Sequence, residues 1–253
     1  MIQNRLIPIL LLKGQGLVKT VKFSKPKYVG DPINAIKIFN DKEVDELVFL
    51  DIDASSEKRG PNFDVLTDIS SECFMPLAYG GGITTIDEIE KIFSIGFEKV
   101  ILNSAAIKNP KLIEEAAKIW GNQSIVGSID YKKGILGKRK VYDHVAGKNT
   151  KLEVLEHAEN LVNTGVGELI INCVDRDGMM NGYDIEFISH LASKITVPLV
   201  AAGGAGNLDD IKIVLKGTGV SAASAGSMFV FHGPHKAVLI NYPNQEKIKT
   251  IYT

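Results

Sequence analysis

Cysteine, tryptophan and long apolar runs are scarce in this chain. Its 253 residues hold one tryptophan and two cysteines, Cys73 and Cys173, which lie far apart and have no close-spaced partners. That spacing argues against a disulfide-stapled scaffold or a zinc finger. The N-terminal apolar stretch Leu6 to Leu12 contains Pro8 and stops at Lys13. It is too short to span a membrane and is not followed by the small-residue cleavage site of a secretory signal. Excess charge of either sign is missing too: 29 basic against 30 acidic side chains leave a net charge of -1. No global field favours nucleic acid, and no sustained heptads support a coiled coil. The expectation is a cytoplasmic protein that binds neither nucleic acid nor membrane. Basic residues do gather locally, from Lys13 to Lys27 and from Lys132 to Lys151, either as solvated loops or as attraction for an anionic substrate.

Core-forming material is plentiful. A hydrophobic content of 45% and 24 glycines exclude disorder, and the length suits one or two domains or a single large α/β barrel. Short apolar runs alternate with stretches of helical period, the pattern of βα units on a parallel sheet. Eight strands are expected, at Leu6–Leu12, Leu47–Ile52, Pro76–Tyr79, Lys99–Leu102, Ser124–Ile129, Glu168–Val174, Pro198–Ala202 and Val220–Ser224. Runs such as LIPILLL and VPLVAA are apolar nearly throughout, as strands covered on both faces must be. Helices are expected at Pro32–Asn40 after a capping Asp31, Asn62–Ser70, Thr85–Ile95, Pro110–Trp120, Leu152–Thr164, Asp184–Ala192 and Leu208–Lys216, with a last one near Lys236–Ile240.

An internal repeat selects between an open sheet and a closed barrel. Residues 77–105 align without a gap on residues 199–227, a shift of 122 positions. Gly81-Gly82 falls on Gly203-Gly204, Asp87 on Asp209, Ile89 on Ile211, and Asp53 on Asp175. Four βα units per half imply one domain over residues 1–253, a (βα)8 TIM barrel built from two similar (βα)4 half-barrels, roughly 1–122 and 123–253.

Working groups in such a barrel follow the C-terminal strand ends. Glycines dominate those positions, and their backbone N–H groups, with the helix starts beyond them, suit phosphate. Because the glycine turns occur in both halves, two phosphate sites are expected. One is formed by Gly81, Gly82, Asn103 and Ser104, the other by Gly178, Gly203, Gly204, Gly226 and Ser227; a substrate phosphorylated at both ends would span them. Asp130 and Asp177 are the acids best placed for proton transfer, with Asp51 and Asp53 as further carboxylates that could instead cap turns. His232-x-x-His235 has a metal-like spacing but encloses Gly233-Pro234 and has no acidic or cysteine partners, so no metal and no cofactor are expected. Cys173 reads as a small buried hydrophobe.

The segments RLIPILLLKGQGLVKT, GDPINAIKIFNDKEVDELVFLDIDAS, YGGGI, EKVILNSAAIKNP, GSID, GELIINCVDRDGMMNGYD and AAGGAG closely resemble the cyclase subunit of imidazole glycerol phosphate synthase, the HisF family, over roughly residues 4 to 232. The resemblance implies a duplicated (βα)8 barrel that takes ammonia from a HisH-like glutaminase docked on its bottom face. At its top the ammonia would act on a bisphosphorylated substrate, cleaving and cyclising it. It also implies an ammonia gate, a ring of charged residues whose matching positions here are Arg5, Glu46, Lys99 and Glu168, and it matches the phosphate positions Asn103, Gly178, Gly204 and Ser227.

One departure is chemical. The family carries a catalytic aspartate in strand one, in a leucine-aspartate-valine-lysine pattern, where this chain reads Leu10-Leu11-Leu12-Lys13. Leu11 cannot move a proton, whereas the partner position, Asp130, is kept. The C-terminal segment departs as well. LLLK, VKFSKPKYVGDPINAI and FVFHGPHKAVLINYP are more similar to a branch of HisF-like proteins associated with bacterial surface-polysaccharide genes. There a HisH-like glutaminase and a HisF-like barrel supply ammonia to a third protein, an amidotransferase that converts an acetamido sugar to an acetamidino sugar, and the substrate implied is phosphorylated or nucleotide-linked. Two alternatives stand beside that expectation: a histidine-pathway cyclase in which Asp51, Asp53 or Asp177 replaces the lost group, and a non-catalytic scaffold that conducts ammonia onward. A phosphosugar isomerase on the same fold is disfavoured, because it needs no gate.

Overall fold

The computed structural model describes residues 4–134 and 137–252. Eight parallel strands close into a barrel: β1 (Arg5–Lys13), β4 (Leu47–Asp51), β5 (Leu77–Gly80), β6 (Lys99–Leu102), β7 (Ile125–Lys133), β10 (Glu168–Cys173), β11 (Leu199–Ala202) and β12 (Ala222–Ala225). Closure is made by β12 pairing with β1, Arg5 opposite Ala222, and by β10 pairing with β7, Asn172 opposite Asp130. The chain is therefore a (βα)8 TIM barrel, as its sequence implied, with all eight expected strands present and their ends moved by a few residues.

The period-two alternation of each strand separates two apolar layers. Ile7, Val48, Ala78, Ile101, Val126, Ile170, Val200, Ala202 and Ala222 form the barrel interior. The alternate residues Leu6, Leu10, Leu12, Leu47 and Phe49 pack outward against the helices. Burying each such aliphatic side chain contributes roughly 1.5–3 kcal/mol.

The major helices are α1 (Pro32–Asp41), α2 (Phe63–Glu72), α3 (Ile86–Ile95), α5 (Pro110–Trp120), α6 (Val154–Thr164), α7 (Ile185–Ala192) and α8 (Leu208–Thr218). Their starts follow from side-chain caps. Asp31 accepts from the Asn34 N–H, and reciprocal capping boxes pair Thr85 with Glu88 and Asn207 with Asp210, each supplying partners for otherwise open helix N–H groups. These two boxes are related by the 122-residue shift. The glycine turns obey it as well. A Cβ on Gly81 would lie 2.5 Å from the Asp51 carbonyl, and one on Gly203 would lie 2.7 Å from that of Cys173, 122 positions on.

Further strands rise over the C-terminal end of the barrel. β2 (Gly16–Val21) continues antiparallel from β1 and pairs with β3 (Ser24–Gly30). β8 (Arg139–Asp143) and β9 (Lys148–Glu153) extend β7. The two basic regions of the sequence are thus largely hairpins. The helix expected near Lys236–Ile240 is absent: β13 (Phe231–His232) pairs with β14 (Ala237–Val238), because Gly233-Pro234 imposes a turn, and the last helix, α10, is Gln245–Tyr252. Short helices α4 (Ser104–Lys108) and α9 (Ser227–Val230) follow β6 and β12. No described helix is long and apolar enough to cross a membrane.

Candidate active site at the barrel mouth

A cavity of about 400 Å³ opens at the C-terminal ends of the strands. Leu11, Asp130, Asp177 and all nine residues expected to bind phosphate line it: Gly81, Gly82, Asn103, Ser104, Gly178, Gly203, Gly204, Gly226 and Ser227.

Asp130 projects inward near the end of β7 and is 7% exposed. Its Oδ2 accepts from Asn103 Nδ2 at 2.8 Å and its Oδ1 from Asn172 Nδ2 at 3.0 Å. Burial pushes its carboxyl up to about 7; the two asparagine amides oppose the shift and the charge of Asp177 adds to it. An acid tuned near neutrality can both give and take a proton. Nothing in the sequence around Asn172 marked it, because its role depends on the β7–β10 register that sets it beside Asp130.

Asp177 is raised by burial, against the pull of Lys19, Thr20 and a backbone hydrogen bond from Phe23. Thr20 Oγ1 donates to its Oδ2 at 3.1 Å, and the Lys22 N–H donates to its carbonyl at 3.0 Å. This aspartate therefore anchors the β2–β3 hairpin as well as facing the cavity. Gly178 fits beneath that hairpin because a Cβ there would overlap the Thr20 carbonyl. The tip itself is strained: Lys22 and Phe23 have φ of 52° and 60°, left-handed values that two-residue hairpin turns require and that Asn-Gly usually supplies. Phe23 meets Tyr142 of β8 edge-on, ring centroids 6.2 Å apart.

Lys19 was legible only as one charge of a basic cluster. It is 6% exposed, with Nζ donating to the Ile9 carbonyl at 2.6 Å. Burial lowers its ammonium to about 8, opposed by Asp177. The two other carboxylates weighed as substitutes are already committed. Asp51 receives both guanidinium ends of Arg59 at 2.7 and 2.8 Å, and the N–H groups of Asp53 and Ala54. Asp53 pairs with Lys13 at 2.6 Å.

At two of the positions expected to bind phosphate, Ser104 Oγ and Asn103 Oδ1 are buried with no partner among the described residues. The Gly82 N–H, in contrast, already donates to Ser55 Oγ at 3.3 Å. Among the described residues no group of three or more His, Cys, Asp or Glu side chains is placed to hold a metal ion.

Four charged residues meet at the other end of the interior. Arg5 donates to Glu46 at 2.6 Å and to Glu168; Lys99 donates to Glu46 at 2.9 Å and to Glu168 at 2.8 Å. Cations and anions alternate around a closed ring. Burial alone would raise Glu168, but the hydrogen bond from Arg5 and the charges of Lys99 and Arg5 hold its carboxyl below the usual range.

A glycine-rich mouth on a (βα)8 barrel, with the buried Asp130 at its centre and a charged ring beneath, narrows the class of protein. The chain belongs to the histidine biosynthesis protein family, whose pattern matches residues 5–235, and within it to the HisF-like cyclase subunits. It is 52% identical to a Pseudomonas aeruginosa protein provisionally named imidazole glycerol phosphate synthase subunit hisF2, covering 98% of this chain and 99% of that one. It is 46% identical to a Leptospira interrogans protein provisionally named as the HisF subunit, over the whole of both chains. The imidazole glycerol phosphate synthase subunit HisF of Leuconostoc mesenteroides is 42% identical over 90% of each chain.

Proposed function

We propose that this chain is the barrel subunit of a glutamine amidotransferase complex. It takes ammonia from a HisH-like glutaminase through the ring of Arg5, Glu46, Lys99 and Glu168, and passes it along the apolar interior to the cavity. The acceptor is not the histidine-pathway intermediate. By the resemblance of its sequence, the chain supports the conversion of an acetamido to an acetamidino sugar for surface polysaccharide, together with a third amidotransferase protein.

The observation that carries this reading is Leu11. Its side chain faces the cavity, while the other carboxylates near the mouth are engaged by Arg59, Lys13 or the β2–β3 hairpin. General acid–base assistance is worth about 10²- to 10⁴-fold per group, so cyclisation that needs two such groups is disfavoured here. Phosphate binding is supported by the open hydrogen-bonding capacity of Asn103 and Ser104, which costs about 1–3 kcal/mol per buried group unless a ligand satisfies it.

The test is a glutaminase-coupled assay of the chain with its partner, run on the histidine-pathway intermediate and separately on an acetamido sugar nucleotide with the third protein present. Incorporation of glutamine nitrogen into the sugar alone supports the proposal. Robust cyclisation of the histidine-pathway intermediate overturns it. A second reading, ammonia conduction with no chemistry in the barrel, is separated by Asp130→Asn: unchanged incorporation supports conduction, and loss supports chemistry.

A further inference from the structure

The β8–β9 hairpin brings one more titratable side chain to the cavity. His144, in the turn after β8, lies with Nδ1 3.9 Å from Asp130 Oδ2, and both residues line the cavity wall. Asp130 is otherwise enclosed by neutral amides, Asn103 on Oδ2 and Asn172 on Oδ1. Among the described residues, His144 is the ionisable group within ion-pair distance of it.

Deepening the function proposed above, and resting on chemistry occurring at this mouth, we infer that His144 is the proton-exchange partner of Asp130. The two hold one proton between them. The exchange is a single transfer. The carboxyl O–H breaks as an N–H forms on the imidazole, converting neutral acid and neutral imidazole into carboxylate and imidazolium, with no other bond changed. Bringing 3.9 Å to hydrogen-bond length needs a side-chain shift of about 1 Å, and His144 has room for it, its side chain being 25% exposed.

The surroundings favour the neutral form of both groups, carboxylic acid and imidazole, which is the state from which the transfer starts. Asp130 is raised by burial and by Asp177, which itself faces Lys19. His144 is lowered by burial and by Lys108, against the pull of Asp143. Leu11 faces the same cavity and adds no competing charge. The imidazole meets Asp130 from the hairpin over β7 rather than from the end of β1, so it does not restore the acid–base pair across the barrel that cyclisation would use.

The test is a side-chain NMR titration of the full chain, following the imidazole ¹⁵N of His144 and the carboxyl ¹³C of Asp130 with pH. It compares the native chain with Asp130→Asn and His144→Gln. A neighbouring opposite charge shifts a midpoint by about 1–3 units. The His144 midpoint should therefore fall by about 1 unit or more in Asp130→Asn, and the Asp130 midpoint should rise comparably in His144→Gln. Midpoints unmoved in the variants overturn the pairing. If Asp130→Asn does not fold, the carboxyl signal in His144→Gln decides alone. No glutaminase or acceptor enters the measurement, so its failure is distinct from failure of the proposed function.

Discussion

Leu11 and Asp130 stand on β1 and β7, four places apart in the closed order of eight strands, and so face each other across one cavity. A hydrocarbon thus confronts the central acid where the resembled family has a second carboxylate. The acidity of Asp130 is set mainly by burial and only secondarily by another acid, Asp177.

Placing a carboxylate at that position should be costly above neutrality. In Leu11→Asp the new group would share a partly apolar cavity with Asp130 and Asp177, so like charges and desolvation raise its proton affinity. Urea unfolding should show a loss of about 1–3 kcal/mol at pH 8 and a smaller loss at pH 5, where the added group is protonated.

The native acid has its own pH signature. Asp130 titrates near 3.8 when unfolded and near 7 when folded, so the folded state binds the extra proton between those values. The contribution of Asp130 to stability is fully present below about pH 4 and is lost as the pH rises through 7, a change of up to about 4 kcal/mol. Asp130→Asn removes that slope. Relative to the native chain, the variant should gain stability progressively from pH 4 to pH 8 in urea titrations; a constant difference across that range would contradict the burial of a titrating acid.

The ring at the opposite end should respond as a unit. Glu46 and Glu168 are 4% and 5% exposed, and each bridges Arg5 and Lys99. Removing one cation leaves two buried anions sharing the other. Lys99→Ala or Arg5→Ala should therefore cost about 3 kcal/mol or more, above the 0–1 kcal/mol of an exposed pair, measured by urea unfolding at pH 7. The double variant should cost more than the sum of the two, since it leaves both buried carboxylates without a cation.

Backbone geometry gives a contrast between two glycines. Gly204 has φ of 120°, and a Cβ there would overlap the Gly182 carbonyl, whereas a Cβ on Gly217 within α8 meets nothing within 4 Å. Gly204→Ala should lose about 3 kcal/mol or more. Gly217→Ala should gain about 0.5–1 kcal/mol through helix propensity. Thermal unfolding of the two variants side by side reads both.

How much of this was legible beforehand depended on whether a residue's role was local. Apolar strand runs, the Asp31 cap, and the paired glycine turns are written in short segments, so they predicted the barrel. The 122-residue shift aligned Gly81-Gly82 with Gly203-Gly204, and the structure adds that each first glycine packs on the equivalent strand residue, Asp51 or Cys173. The engagement of Asp51 by Arg59, and of Asp177 by Thr20 and Lys19, depends on loops folding back from 8 to 158 positions away in sequence. No periodicity encodes that. The hairpins were missed because Lys-rich strands with Pro26 read as solvated loops, and β13–β14 because Lys236 to Ile240 has helix formers but sits behind a Gly-Pro turn. His144 drew no notice because its sequence neighbours carry no catalytic pattern.

The most direct measurement of the central claim is turnover of the histidine-pathway intermediate by this chain with ammonium salt, beside the L. mesenteroides HisF subunit under the same conditions. Supplying ammonia directly removes any dependence on the glutaminase. With Leu11 opposite Asp130, imidazole glycerol phosphate formation should be at least about 100-fold slower than in that relative. A rate within a few-fold of it would contradict the account and return the chain to the histidine pathway.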